Sequence, residues 1–188
     1  MFLENVVFDA TDPQALGRSW EARLGTEQLT DEEAGYETRL EVPGGPVLDL
    51  CFQRVPEQPA ERERLRFDVV GEDPAKLTAI LLEAADPVRD AEFWAWLTGW
   101  TPTGAGGLRH PSGLGPVLRL VPEAEPKGLA KNRVHLDVRL EQGEDADTVE
   151  REIFERGGTV LDADWGDLPW RSYVDPSGNE FCVLPAHS

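Results

Sequence analysis

The sequence predicts an α+β fold assembled from repeated strand, helix and strand units, and three observations predict it. The first is an internal repeat: "NVVFDATDPQALGRSWEARLG", Asn5 to Gly25, overlays "AILLEAADPVRDAEFWAWLTG", Ala79 to Gly99. The second is shared punctuation, with Asp12-Pro13 meeting Asp86-Pro87, Trp20 meeting Trp94 and Gly25 meeting Gly99. The third is composition: 40% hydrophobic residues, with six Trp and seven Phe, suffice for a packed core, and 29% charged residues is ordinary for a globular chain.

Each repeat opens on alternating apolar residues, Val6, Phe8 and Ala10 in one copy and Ile80, Leu82 and Ala84 in the other, which read as strands. Asp then caps a helix N-terminus, Pro fills the first turn where its missing N–H costs nothing, and Gly stops the helix. Trp20 and Trp94 fall on the helix face that packs on the sheet. "LEVPGGPVLDLCFQRVPE" and "LRHPSGLGPVLRLVPE" each read as two short strands around a Pro/Gly turn. The next strands also correspond, "RLRFDV" at Arg64 to Val69 with "RVHLDV" at Arg133 to Val138. Leu77, Ile80, Leu81 and Ala84 satisfy helical spacing too, but the repeat favours a strand there.

After Val138 come a helix carrying Val149 and Ile153, a stop at Gly157-Gly158, and strands near Thr159–Leu161, Trp170–Val174 and Asn179–Leu184. Residues 78–184 therefore read as two successive βαβββ modules. The expected division is a partial domain over residues 1–75, one module plus one strand, and a complete two-module domain over 76–188. An uncovered lone module exposes an apolar face and strand edges, so it is expected to pack on the C-terminal domain or to be completed by the same piece of a second chain; a homodimer is expected.

A formal charge of −18 repels nucleic acid and anionic membranes. No signal-peptide pattern opens the chain, and no apolar stretch approaches the ~20 residues that cross a bilayer. Cys51 and Cys182 lie in apolar runs and read as reduced, buried thiols. A cytoplasmic location is expected.

Four segments carry a resemblance: "DPVRDAEFWAWLTGW", "KNRVHLDV", "ERGGTVL" and "DPSGNEFCVL". In order and spacing they resemble the vicinal oxygen chelate superfamily (glyoxalase, bleomycin-resistance and dioxygenase proteins), and within it the actinobacterial glyoxalase-like domain. The N-terminal "DPQALGRSWEARLG" and "CFQRVPE" resemble the first half of a second such domain. The resemblance implies paired βαβββ modules around a ligand cavity, with metal ligands, where present, on the first and last strands of each module. Carried onto this chain, those positions are Ala79 (Asn5 in the N-terminal copy), a residue near Arg119, His135 and Cys182, with Glu180 two residues before the last. Alanine and arginine do not ligate a cation, so no metal cofactor is expected; a soft zinc site from His135, Cys182 and Glu180 is the divalent-metal alternative.

Strand alternation places Glu180 and Cys182 on one face, and His135 and Asp137 on one face of their own strand. These four, with Trp165 and Trp170 in the loop "DADWGDLPW" and Trp96 in the second helix, are the candidate ligand-binding residues. The expected function is metal-independent binding of a small organic ligand in the cavity of the C-terminal domain. The alternatives are a lyase, dioxygenase or isomerase using His135 and Glu180, and a structural or partner-binding protein whose cavity is filled.

Overall fold

The computed structural model describes residues 1–57, 63–72, 74–161 and 168–187. The first module is β1 (Phe2–Ala10), α1 (Pro13–Leu24), β2 (Glu27–Glu32), β3 (Gly35–Glu41) and β4 (Val47–Arg54), followed by the lone strand β5 (Leu65–Val70). The second is β6 (Lys76–Ala84), α2 (Pro87–Thr98), β7 (Thr101–Gly104), β8 (Gly107–Arg109) and β9 (Val117–Pro122). The third is β10 (Val134–Arg139), α3 (Ala146–Glu155), β11 (Thr159–Val160), β12 (Arg171–Val174) and β13 (Glu180–Leu184).

The helix signals act as expected. Asp12 accepts a hydrogen bond from the Ala15 N–H, Asp86 accepts from the Val88 and Arg89 N–H groups, and Gly25 and Gly99 close α1 and α2 with φ of 64° and 70°. The ambiguous segment is the strand β6, hydrogen-bonded on both sides.

Module pairing departs from the expected order. The eight-stranded sheet runs β11-β12-β13-β10-β1-β4-β3-β2, which joins the first module to the third. β1 and β10 are antiparallel neighbours with Val6 opposite Leu136, and each has its own module's last strand in parallel on its far side. The five-stranded sheet runs β5-β6-β9-β8-β7, so β5 stands against β6 as β10 stands against β1. Both sheets cut across a division at residues 75/76. The N-terminal edge that motivated a second copy is paired within the chain.

One apolar core fills the space around the helices. Trp94 of α2 is fully buried against Phe181 of β13, with ring centroids 5.4 Å apart, and Trp20 of α1 meets Phe67 of β5 edge-on at 5.2 Å. Val6, Phe8, Leu50, Phe52, Leu136, Val138, Phe181 and Val183 belong to this core. By strand alternation the residues between them turn to the opposite face of the eight-stranded sheet.

The turn "DPSGN" anchors that sheet. Asp175 accepts from the Ser177 and Asn179 N–H groups and from Trp94 Nε1 at 3.1 Å, with Gly178 at φ 82°. Arg64, just before β5, donates to Asn179 Oδ1 at 2.8 Å. Among the described residues, no helix is long and apolar enough to cross a membrane.

Candidate functional site

The free face of the eight-stranded sheet carries rows of polar residues that run across strands. In one row Ser172, Cys182, Asp137, Asn5, Asp49 and Arg39 occupy neighbouring register positions from β12 to β3. In the adjacent row His135 stands opposite Val7, which stands opposite Cys51. Cys182, Asp137 and Asn5 of the first row and His135, Val7 and Cys51 of the second form the floor of an open cavity of about 740 Å³. Its walls include Val55, Leu161, Leu168, Pro169, Trp170, Leu184 and Pro185, apolar surface beside convergent polar groups, as small-molecule sites have.

His135, Asp137 and Cys182 are all buried, and the ligating atoms of the three lie within 4.8 Å of one another. His135 Nε2 is 3.4 Å from Asp137 Oδ1, within charge-pairing distance. Asn5 Nδ2 donates to Asp137 Oδ2 at 3.3 Å, and Cys182 Sγ lies 3.5 Å from Ser172 Oγ. Two atoms, His135 Nδ1 and Asp137 Oδ1, are buried with no hydrogen-bond partner. Burial works against the charge on His135, but Asp137 and Cys182 more than offset it and raise the imidazole to about 10. The shift favours the protonated imidazole of His135 at neutral pH.

The remaining charges at the cavity are taken. Lys131 Nζ reaches Asp9 at 2.7 Å, and Arg139 pairs with Glu4 and donates to the Pro185 carbonyl. Arg54 donates to the Glu33 and Thr11 carbonyls and to Gln14 Oε1. Glu180 lines the cavity, but its carboxylate accepts from Lys127 Nζ and from the Asn132 N–H, each at 3.1 Å. Cys51 donates to Glu37 Oε1 at 3.1 Å, and burial, reinforced by Glu37, pushes its thiol up.

The structure brings His135, Asp137, Glu180, Cys182 and Trp170 to one cavity. Trp165 lies outside the described residues. Trp96 is a correction: it packs on Phe93 and under the Arg156 guanidinium, 4.6 Å from its ring centroid, on the helix side of the sheet. Helical spacing alone does not say which side of a sheet a helix covers. The cavity's place is a second correction, because it lies between the first and third modules and not within residues 76–188. Ala79 and Arg119 belong to the five-stranded sheet. Sequence reasoning missed Val7, Asp9, Cys51 and Gln53 as cavity residues, although the N-terminal repeat had already marked Asn5 as a ligand-position counterpart.

The family model described as the glyoxalase-like domain matches the chain twice, over residues 5–84 and 79–184. The chain belongs to the glyoxalase-like domain family. The tandem match fits repeated modules. Similar solved structures include a putative dioxygenase from Bacillus subtilis, 16% identical over 100% of this chain and 63% of that one, TM-score 0.41. The chain thus spans less than two thirds of that protein. Others are a glyoxalase/bleomycin resistance protein from Albidiferax ferrireducens (18% identity, 57% of this chain, 95% of that one, TM-score 0.41) and glyoxalase I from Zea mays (20%, 98% and 68%, TM-score 0.41). No curated protein matches by sequence.

The residues His135, Asp137 and Cys182 fit a divalent ion. One imidazole, one carboxylate and one thiol supply the three protein donors of an open zinc-type site, and the unpartnered Asp137 Oδ1 faces the other two groups. Asp137 takes the place expected for Glu180, whose carboxylate is committed elsewhere.

Proposed function

We propose that the protein binds a small organic molecule in the cavity between its first and third modules. The observation that carries this reading is the cavity itself, about 740 Å³ with an apolar wall, Trp170 at its margin and the buried His135, Asp137 and Cys182 at its floor. A homodimer is part of this reading and is readable by light scattering. The free thiols of Cys51 and Cys182 suit a reducing compartment, and we assign the protein to the cytoplasm. The test is a ligand screen by thermal shift on the wild type and on Val7→Trp, which fills the cavity floor. Hits that stabilise the wild type alone support the reading; hits that stabilise both refute it.

A second reading, a metal-dependent enzyme of the superfamily, is favoured by the unpartnered oxygen of Asp137. The expectation of metal independence counted donors at Ala79 and Arg119, and with Asn5 and Asp137 on the site's own sheet that count no longer applies. Cys182, His135 and Asp137 would hold the ion, and Asn5 would orient Asp137 through its second oxygen. A bound divalent ion supplies Lewis acidity. Glu180 as a general base is disfavoured, because Lys127 and Asn132 hold its carboxylate.

A further inference from the structure

Resting on the cavity reading, we infer that the bound molecule is an elongated amphipathic carboxylate, with its acid group on Arg54 and its apolar end under Trp170. Arg54 carries the inference, because it differs from the other cations at the cavity in what holds it. Lys131 pairs with the Asp9 carboxylate and Arg139 with that of Glu4. Arg54 donates from Nε to the Glu33 carbonyl at 2.8 Å, from one terminal nitrogen to the Thr11 carbonyl at 2.9 Å, and from the other to Gln14 Oε1 at 2.8 Å. Among the described residues its partners are thus neutral oxygens, which fix the guanidinium in place without offsetting its charge. One N–H remains on each terminal nitrogen, the number that the two oxygens of a carboxylate accept as a fork.

Strand register sets the length of the molecule. Arg54 stands beside Ala10 at one end of β1, whereas Arg139 stands opposite Phe2 at the other end and beside Leu184. Arg171 is opposite Val183, which puts Trp170 at the Leu184 end, in one wall with Leu168, Pro169 and Pro185. That wall is apolar and suits an aromatic ring. β1 is nine residues long. At about 3.3 Å per residue its ends lie about 26 Å apart, so a molecule that touches both Trp170 and Arg54 is long even after the two side chains reach inward. The formal charge of −18 does not exclude an acid, because charges farther off than roughly 8–10 Å are screened at physiological salt, whereas Arg54 meets the acid group at contact.

The test is titration calorimetry at pH 7.5 with 8-phenyloctanoate and 8-phenyloctan-1-ol, which differ in the head group alone, and with 3-phenylpropanoate, which carries the same ends over a shorter span. The octanoate binds the wild type about ten-fold or more tightly than either of the others, the size of a hydrogen bond to a charged group. Arg54→Gln brings the octanoate down to the level of the alcohol, which separates this anchor from any ion held by His135, Asp137 and Cys182. Alcohol or propanoate binding as tightly as the octanoate, or an acid-to-alcohol ratio unchanged in Arg54→Gln, overturns the inference and leaves the cavity reading standing. Arg54→Lys, which keeps a charge but loses the fork, is the substitute if Arg54→Gln does not fold; the ratio falls there too, and an unchanged ratio overturns the inference. Absence of binding by all three compounds, or binding that survives Val7→Trp, overturns the cavity reading and this inference with it; Cys51→Phe is the substitute if Val7→Trp does not fold.

Discussion

Raising the pH should weaken the fold through one identifiable group. His135 is buried, and its imidazole stands at about 10 in the folded protein against an ordinary value near 6.5. Between these values the native state holds a proton that the unfolded chain releases, so stability falls as pH rises. At about 1.4 kcal/mol per unit the full interval is worth on the order of 5 kcal/mol. That contribution is complete below pH 6.5, has fallen to roughly 4 kcal/mol at pH 7, and is almost gone by pH 10.5. The groups facing His135 are Asp137 and Cys182, so Asp137→Asn should lower the imidazole and flatten the slope. Urea unfolding of wild type, His135→Gln and Asp137→Asn at intervals from pH 6 to 10.5 reads the effect. Tyrosines and lysines titrate in all three proteins, so only the excess slope of the wild type counts. A wild-type slope between pH 7 and 10 no steeper than that of His135→Gln would show that no imidazolium–carboxylate pair exists in the fold.

Three further outcomes are expected. Trp94→Phe removes the indole donor to the buried Asp175 Oδ2 while keeping most of the ring's packing, and should cost about 1–3 kcal/mol by urea unfolding. Gly17→Ala places a Cβ 2.2 Å from Tyr36 Cδ1; overpacking of about 1–3 kcal/mol outweighs the usual gain in helix propensity of under about 1 kcal/mol, so the melting temperature falls. For the metal reading, one equivalent of cobalt(II) should give a thiolate charge-transfer absorption that Cys182→Ser abolishes, and failure to take up zinc or cobalt would remove that reading.

Much of the local structure was legible because it is encoded locally. Asp12-Pro13 with Gly25, and Asp86-Pro87 with Gly99, fix both helices through groups a few residues apart. The shared face of Glu180 and Cys182 follows from strand alternation alone. β2 carries no apolar alternation to find: "EQLTDE" is exposed along its whole length. Module pairing was not legible for a different reason. "RLRFDV" and "RVHLDV" are nearly the same strand, so local sequence does not say which is the partner of β1 and which of β6. Pairing is settled by distant contacts, and every site residue outside the third module follows from it. His135 and Cys182 were found because they lie in one module; Val7, Cys51 and Gln53 were missed because their strands join the site from the other end of the chain.

The odd number of modules explains β5. In the eight-stranded sheet the first strand of each module covers the edge of the other, and the second module is left with β6 unpaired on that side. β5 supplies the missing partner with six residues. Its side chains also reach the first module, where Phe67 meets Phe8 at 5.5 Å and Trp20 at 5.2 Å, both edge-on. Just before it, Arg64 reaches the third module through Asn179. A strand that would begin a further module has thus become a clasp that closes one sheet's edge and ties it to both halves of the other. The cavity gains from this arrangement, because the strands that form its floor, β1 and β10, are interior to their sheet and β13 is fixed through the Asp175–Asn179 turn that Arg64 and Trp94 hold.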